Sequence, residues 1–292
     1  MIGVDWGTSS FRAFRLAENG AIRDRREAAE GILQIPQGGF AEALHRRIGA
    51  WLADGEDRVL LSGMVGSRQG WVEAPYLPCP AGAEELARAL IDVPFAAARV
   101  KLVPGLSDVD DAGVPEVMRG EETQIIGALE AIGEAGTVCL PGSHSKWARV
   151  SAGCITGYRT HLTGEAFAGL RGHTILGRMM RDGPTDPAAF DRGVMRAGDP
   201  GGLLHHLFGV RTLGLTGQLG ETESAAYLSG LLIGHELATA LPDRGRVHLI
   251  GAPELCSLYA RAIAARGGTP AIEDSDAAAR GLARIGRSIR WS

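Results

Sequence analysis

Asp5 ends an apolar run in which Ile2, Val4 and Trp6 alternate, and Gly7-Thr8-Ser9-Ser10 follows it. A glycine turn with three hydroxyls can present backbone N–H and O–H groups to one point, which makes an anion cradle suited to phosphate. An acid just before such a turn can hold a divalent cation, directly or through water, as phosphoryl transfer requires. It can equally cap the turn by accepting its N–H groups. A second stretch, "CLPGSHSKWARV" from Cys139, repeats the strand, the Gly-hydroxyl turn and the return strand. Lys146, just past that turn, offers a point charge to a phosphate or lies solvated on the surface. Two cradles, one opening each half, suit a triphosphate chain better than one.

The surrounding pattern is one of alternating elements. Residues 2–16 read as strand, turn, strand, and 22–35 continue the sheet. "GGFAEALHRRIGAWLA" has helical spacing, "DRVLLSG" is a buried strand, "GAEELARALI" a helix and "ARVKLVPGL" a strand. "GLSDVDDAG" reads as a mobile loop, and "GEETQIIGALEAIGEAG" as a helix with acids in its first turn. Helices dominate from about 164 to 240. "GRVHLIGAPELCSLYARAIAARG" is strand, glycine turn and helix, and "DSDAAARGLARIG" closes as an amphipathic helix. This is α/β alternation with an internal duplication. It predicts two lobes, 1–134 and 135–275, hinged near Gly133–Gly136 and facing one cleft, with the helix at 276–292 returning to the first.

Composition narrows the function classes. The 292 residues are 45% hydrophobic and 22% charged, with 30 Lys and Arg against 34 Asp and Glu, a net charge of −4. Nothing there draws the chain to nucleic acid or an anionic membrane. Glycine, at 42 residues, is about twice its usual share, which predicts tight turns and close backbone approach to a ligand. The four cysteines have no metal-site or redox spacing, which fits a reduced compartment. "AAYLSGLLIGHELATAL" carries His235 and Glu236 mid-run and reads as a buried helix, not a membrane span. A strand starting at residue 2 leaves no room for a leader, so a cytoplasmic protein is expected. A homo-oligomer remains open.

The paired turns, followed by the strand-glycine-helix at "HLIGAPELCSLYARAI", resemble the actin-like ATPase and sugar kinase superfamily. That resemblance implies an α/β, two-lobed, duplicated ribonuclease H-like fold with a central cleft. It implies that Gly251 and Ala252 lie against a nucleoside, with the helix from Glu254 behind them, though a plain βα turn would also use glycine. Within the superfamily, "GVDWGTSSFRAF", "SGMVGSRQGWVEAPYLPCPA", "VMRGEETQIIGAL", "LPGSHSKW", "LTGE" and "AYLSGLLIGHE" resemble the 2-dehydro-3-deoxygalactonokinase family. The likeness runs from residue 3 to about 260. It implies ATP- and Mg²⁺-dependent phosphorylation of 2-keto-3-deoxy-galactonate on its terminal hydroxyl, in galactonate breakdown.

The same resemblance implies phosphate contacts at Gly7, Thr8, Ser9 and Ser10 and at Gly142, Ser143, His144, Ser145 and Lys146, with Mg²⁺ near Asp5. Ser143 stands where the family is expected to carry Thr. The 63–71 loop is similar to a sugar-touching loop of related kinases, which assigns Met64, Ser67, Arg68, Gln69 and Trp71 to the substrate. Arg68 is expected to read its carboxylate, although on its own it would pass for a surface or structural arginine. Arg12 and Arg159 are weaker candidates for the same charge, and Tyr76 lines the pocket or packs the loop. By analogy with glucokinase-like proteins and exopolyphosphatases, Glu122 is the expected catalytic base, ahead of Glu121. Asp108, Asp110 and Asp111 are rivals, while His144 and His161 are left out of catalysis. Alternative readings are a kinase for the gluco epimer, an exopolyphosphatase-like hydrolase and a non-enzymatic actin-like nucleotide sensor. A hydrolase would need an acid where Cys139 stands.

Overall fold

The computed structural model describes residues 1–243 and 245–291. Its strands are β1 (Ile2–Trp6), β2 (Phe11–Leu16), β3 (Ile22–Ala28), β4 (Arg58–Ser62), β5 (Tyr76–Pro78), β6 (Ile91–Val93), β7 (Arg99–Leu102), β8 (Gly105–Val109), β9 (Pro115–Met118), β10 (Ala135–Leu140), β11 (Ser145–Ser151), β12 (Cys154–His161), β13 (Arg246–Leu249) and β14 (Thr269–Ile272). Its helices are α1 (Phe40–Ala53), α2 (Ala83–Arg88), α3 (Glu121–Ile132), α4 (Thr163–His173), α5 (Pro187–Arg196), α6 (Gly202–Leu215), α7 (Glu223–Ala240), α8 (Pro253–Ala265) and α9 (Ala277–Arg287).

The chain forms two compact units. Unit one takes the described residues of Met1–Gly136, Ala148–Arg159 and Glu273–Ser292, and unit two those of Thr137–Trp147 and Thr160–Ile272. The internal repeat alone groups the whole of 135–275 together. Residues 148–159 cluster instead with unit one, because Ile155 bridges Ala81 and the Tyr158 hydroxyl donates to the Leu106 carbonyl at 2.7 Å.

The duplication is visible in the strand orders. The six-stranded sheet runs β3-β2-β1-β4-β7-β6, and the five-stranded sheet runs β12-β11-β10-β13-β14. In the first, β1 pairs antiparallel with β2 and parallel with β4, and β4 is parallel to β7. In the second, β10 is parallel to β13, and β13 to β14. The order β3-β2-β1-β4-β7 corresponds strand for strand to β12-β11-β10-β13-β14, and the first sheet adds β6 at its edge.

Each unit has its own apolar core. Unit one packs Ile2, Val4, Trp6 and Phe11 of the first hairpin against Leu44, Ile48 and Trp51 of α1. Unit two packs Phe190 and Val194 of α5 against Leu228 and Leu231 of α7, over Val247 and Leu249 of β13. The glycine surplus serves helix crossings as well as turns. A Cβ on Gly127 of α3 would lie 1.8 Å from the Ala277 carbonyl oxygen, and one on Gly281 of α9 would lie 1.8 Å from that of Thr123. Gly193 of α5 and Gly230 of α7 meet in the same way, at 2.2 and 2.0 Å. No side chain fits such contacts, so the crossings fix glycine.

Two expectations change. The stretch 105–118 is an ordered hairpin, β8 with β9, and not a mobile loop; Asp110 accepts the Ala112 and Val114 N–H groups at its turn. The first sheet also stops at Ala28, and the following segment folds back as one short helical turn, Ile32–Gln34.

Candidate active site

The parallel strands β1 and β4 end side by side, with Asp5 opposite Ser62 in register. Ligands of open α/β sheets gather outside such carboxyl ends. Gly63 leaves β4 with φ +96°, and a Cβ there would sit 2.8 Å from the Trp6 carbonyl oxygen and 3.1 Å from Asp5 Oδ1. Gly120, at φ +106°, lies against it, since its Cβ would be 3.0 Å from the Gly63 Cα. Thus Asp5, the loop after β4 and the N-terminus of α3 meet at one corner of unit one. Only glycine permits that approach and those dihedrals.

Asp5 is nearly buried and ion-paired to Arg12, its register partner on β2. Arg12 therefore holds a protein carboxylate, where the sequence suggested it might hold the substrate's. The first turn closes with the Gly7 N–H on the Ser10 carbonyl at 2.9 Å, and Thr8, Ser9 and Ser10 are exposed. It is backed by main chain. The Ile32 N–H donates to the Gly7 carbonyl at 3.0 Å, and a Cβ on Gly31 would fall 2.2 Å from the Thr8 carbonyl. The Trp6 indole donates to the Glu30 carbonyl at 3.1 Å and anchors that backing segment.

The two acids that open α3 differ sharply. Glu122 is 0% exposed; one oxygen accepts the Gly120 N–H at 2.7 Å and the other the Thr123 hydroxyl at 3.1 Å. Burial, with a smaller push from Glu121, raises its carboxyl to about 8. It is an enclosed acid with both oxygens engaged, and it touches no open surface. Glu121 is half-buried and accepts the Arg119 N–H at 3.0 Å. The three rival acids are occupied in the hairpin: Asp108 bonds the Tyr158 N–H at 3.0 Å and pairs with Arg159, Asp111 also pairs with Arg159, and Asp110 caps the turn.

The 63–71 loop differs from expectation. The Arg68 side chain is 87% exposed, paired loosely with Glu73 at 3.4 Å, and Gln69 is exposed beside it. Trp71 packs on the core, stacked on Phe40 at 6.3 Å and edge-on to Phe95 at 6.1 Å, and Met64 packs there too. Its indole is half-buried and thus braces the loop against the core. The hydroxyl of Ser67 is buried without a hydrogen-bond partner among the described residues. Tyr76 is exposed, its ring 4.3 Å from the guanidinium carbon of Arg119.

Unit two carries the second turn. Gly142 to His144 lie at or near the surface, and α4 begins against them: a Cβ on Gly164 would be 2.4 Å from the Gly142 carbonyl oxygen. His144 contacts Glu165 of that helix. Ser145 points inward, hydrogen-bonded to Tyr259 at 2.7 Å, so its hydroxyl is not on the open side of the turn as expected. Lys146 is also buried, 4% exposed and engaged, and is not a solvated lysine. Beneath the turn lies Glu236. It accepts the Trp147 indole N–H at 2.6 Å, the Tyr259 hydroxyl at 2.7 Å and the Thr163 hydroxyl. This buried acid joins β11, α4, α7 and α8 in one network; burial, with a smaller push from Glu236, moves the Tyr259 hydroxyl and the Cys139 thiol upward. Beside it is a cavity of about 280 Å³, lined by Gly142, Thr163, Phe167, Leu255, Leu258 and Tyr259 among others. Gly251 and Ala252 are exposed at the start of α8, whose next turns form the cavity wall.

Sequence reasoning missed Glu236, Tyr259, Gly31 and Arg119 as site residues. An acid inside an otherwise apolar helix was a usable signal for Glu236, because such an acid must find buried donors.

A duplicated β-turn-β sheet with paired glycine turns defines the actin-like ATPase and sugar kinase fold. A solved structure of the activator of 2-hydroxyisocaproyl-CoA dehydratase from Clostridium difficile shares it, with a TM-score of 0.53, 12% identity and coverage of 99% of this chain and 95% of that one. The chain belongs to the 2-keto-3-deoxy-galactonokinase family, whose model matches residues 5–285. It is 38% identical to "Probable 2-dehydro-3-deoxygalactonokinase DgoK1" of Rhizobium meliloti, over 98% of this chain and 96% of the relative. A crystal structure from Sinorhizobium meliloti described by the same kinase name superposes with a TM-score of 0.90 at 37% identity, covering 98% of both chains.

Proposed function

We propose that this chain transfers the γ-phosphoryl group of ATP to the terminal, C6 hydroxyl of 2-dehydro-3-deoxy-D-galactonate, in galactonate catabolism. The observation that carries this reading is the corner where Asp5, Gly63 and Gly120 meet, below an exposed glycine-hydroxyl turn. The nucleoside is assigned to the apolar cavity of unit two, against α8, and the phosphates to the turns at Gly7 and Gly142. Family membership supports both the reaction and the acceptor class.

Asp5 fits Mg²⁺ by its chemistry. It is a hard oxygen donor beside a phosphate turn, and Mg²⁺ typically takes one or two carboxylates, with water and phosphate completing the shell. Arg12 fixes one side of that carboxylate, and Oδ1 faces Gly63. The bound ion would offset charge on the phosphate oxygens. Glu121, half-buried where Glu122 is fully enclosed, is the proposed base that takes the proton of the attacking hydroxyl; Glu122 holds Gly120 in place from behind. Exposure thus favours Glu121 over the neighbour that the sequence favoured. The hydrolase alternative loses support because β10 brings only a buried thiol, Cys139, to the second turn.

A coupled ADP-release assay with both keto-deoxy epimers, plain aldonates and neutral sugars tests the proposal. ADP release dependent on the galacto acid supports it; release with any neutral sugar at equal rate, or without an acceptor, overturns it.

A further inference from the structure

Arg119 is a buried cation, 7% exposed, on the residue before Gly120. Its Nη2 donates to the Ala74 carbonyl at 2.7 Å. Its Nε and Nη1 are buried with no hydrogen-bond partner among the described residues. Two hydroxyls nearby in the fold, those of Ser62 and Ser67, are likewise buried and unmatched. Gly66 makes the room: a Cβ there would stand 3.2 Å from Arg119 Nη1, and Ser67 is the next residue. Ser62 pairs in register with Asp5, and Gly63 touches both Asp5 and Gly120. The unmatched donors therefore gather around the same corner of unit one that carries the acids.

A buried guanidinium that keeps unmatched N–H groups is uncommon, because each has left water without replacement. Such a group is completed by an anion, and a carboxylate suits its planar donors. We propose that Arg119, helped by the Ser67 hydroxyl, receives the carboxylate of the sugar-acid substrate. The assignment rests on the kinase reading above and moves this role from the exposed Arg68 to a residue that the sequence left unremarked. The Tyr76 ring, 42% exposed, lies over the same cation and walls the corner on that side.

An arginine fixed for this purpose discriminates by charge, since a neutral analogue leaves it unmatched. The test compares kcat/KM for 2-keto-3-deoxy-galactonate with that for its methyl ester, in wild type, Arg119→Gln, Arg119→Lys, Arg68→Gln and Gly66→Ala. Wild type is expected to prefer the acid by ~10²-fold or more. Arg119→Gln loses most of that preference through a raised KM for the acid, a loss much larger than any change in the KM for ATP, and Arg119→Lys recovers part of it. Arg68→Gln keeps the wild-type ratio. Gly66→Ala, which crowds Nη1 and keeps the charge, lowers the ratio in the same direction and serves if the Arg119 variants do not fold. A folded Arg119→Gln, or Gly66→Ala in its place, with the wild-type ratio overturns the assignment while leaving the kinase reading standing. A wild type inert toward both compounds overturns the kinase reading and this assignment with it.

Discussion

The turns at Gly7 and Gly142 occupy equivalent places in two sheets of the same strand order, yet they are held in different ways. The first is backed by main chain: Gly31 presses on Thr8, and the Ile32 N–H bonds the Gly7 carbonyl. The second is held from below by side chains, through Ser145, Trp147, Tyr259 and the buried carboxylate of Glu236. Their surroundings differ as well. Unit one brings acids to its turn, Asp5 from β1 and Glu121 and Glu122 from α3, whereas unit two brings an apolar cavity. Both sheets keep a glycine-hydroxyl turn at the corresponding place. The chemistry around each copy then diverged, with catalysis assigned to unit one and the nucleoside to unit two.

The sharpest way to break that division is at the acids. Glu121→Gln should lower kcat by ~10²–10⁴-fold with little change in either KM, since a positioned base contributes about that much. Near-normal turnover in steady-state assays would remove Glu121 from the chemistry. Next in size is the backbone support of the first turn. Gly31→Ala places a Cβ where the Thr8 carbonyl stands, and displacing a phosphate turn by about 1 Å should cost ~10²-fold in kcat/KM. A variant with wild-type kinetics would mean that the turn is not a phosphate site.

The second turn should respond through stability. Glu236→Ala strands three donors, the buried Trp147 and Tyr259 and the half-buried Thr163, and is expected to destabilise the protein by about 2–4 kcal/mol, against about 1 kcal/mol for Tyr259→Phe. Chemical denaturation measures both; equal and small losses would contradict a shared network. Glu122 gives a pH signature. Its folded carboxyl is raised to about 8, so the folded state holds a proton that the unfolded chain has released above its ordinary value near 4.5. Stability should therefore be fully present below about pH 4.5 and fall as pH rises toward 8. Glu122→Gln, which keeps a neutral side chain, should flatten that slope. The smallest effect is at Arg68, where Arg68→Met should change the KM for the acid less than ~2-fold, as for an exposed side chain with one loose pair.

Much of this architecture was legible because it follows from local patterns. Apolar alternation around Asp5, helical spacing from Phe40 and the acids opening α3 each state their element directly. The duplicated β-turn-β was readable for the same reason. Side-chain partners were less legible because they depend on register and packing. Only the antiparallel pairing of β1 with β2 sets Arg12 opposite Asp5, and only the core of unit one turns Trp71 onto Phe40 and Phe95. Glu121 and Glu122 are adjacent and chemically alike. The rotation of the first turn of α3 buries one and leaves the other half-open, which no count of acids reveals. Arg119 was hidden differently: it stands inside a quoted motif whose acids drew the attention, and the role proposed for it rests on hydrogen bonds it lacks, which no sequence shows.

The most direct test of the whole account is the product itself. Purified protein is supplied with ATP, Mg²⁺ and 2-keto-3-deoxy-galactonate, and the products are examined by ³¹P NMR with coupling to the sugar protons. The account predicts one new phosphomonoester, coupled to the terminal methylene protons and formed in step with ADP. Free inorganic phosphate in step with ADP, or phosphate coupled to any other carbon, would contradict it.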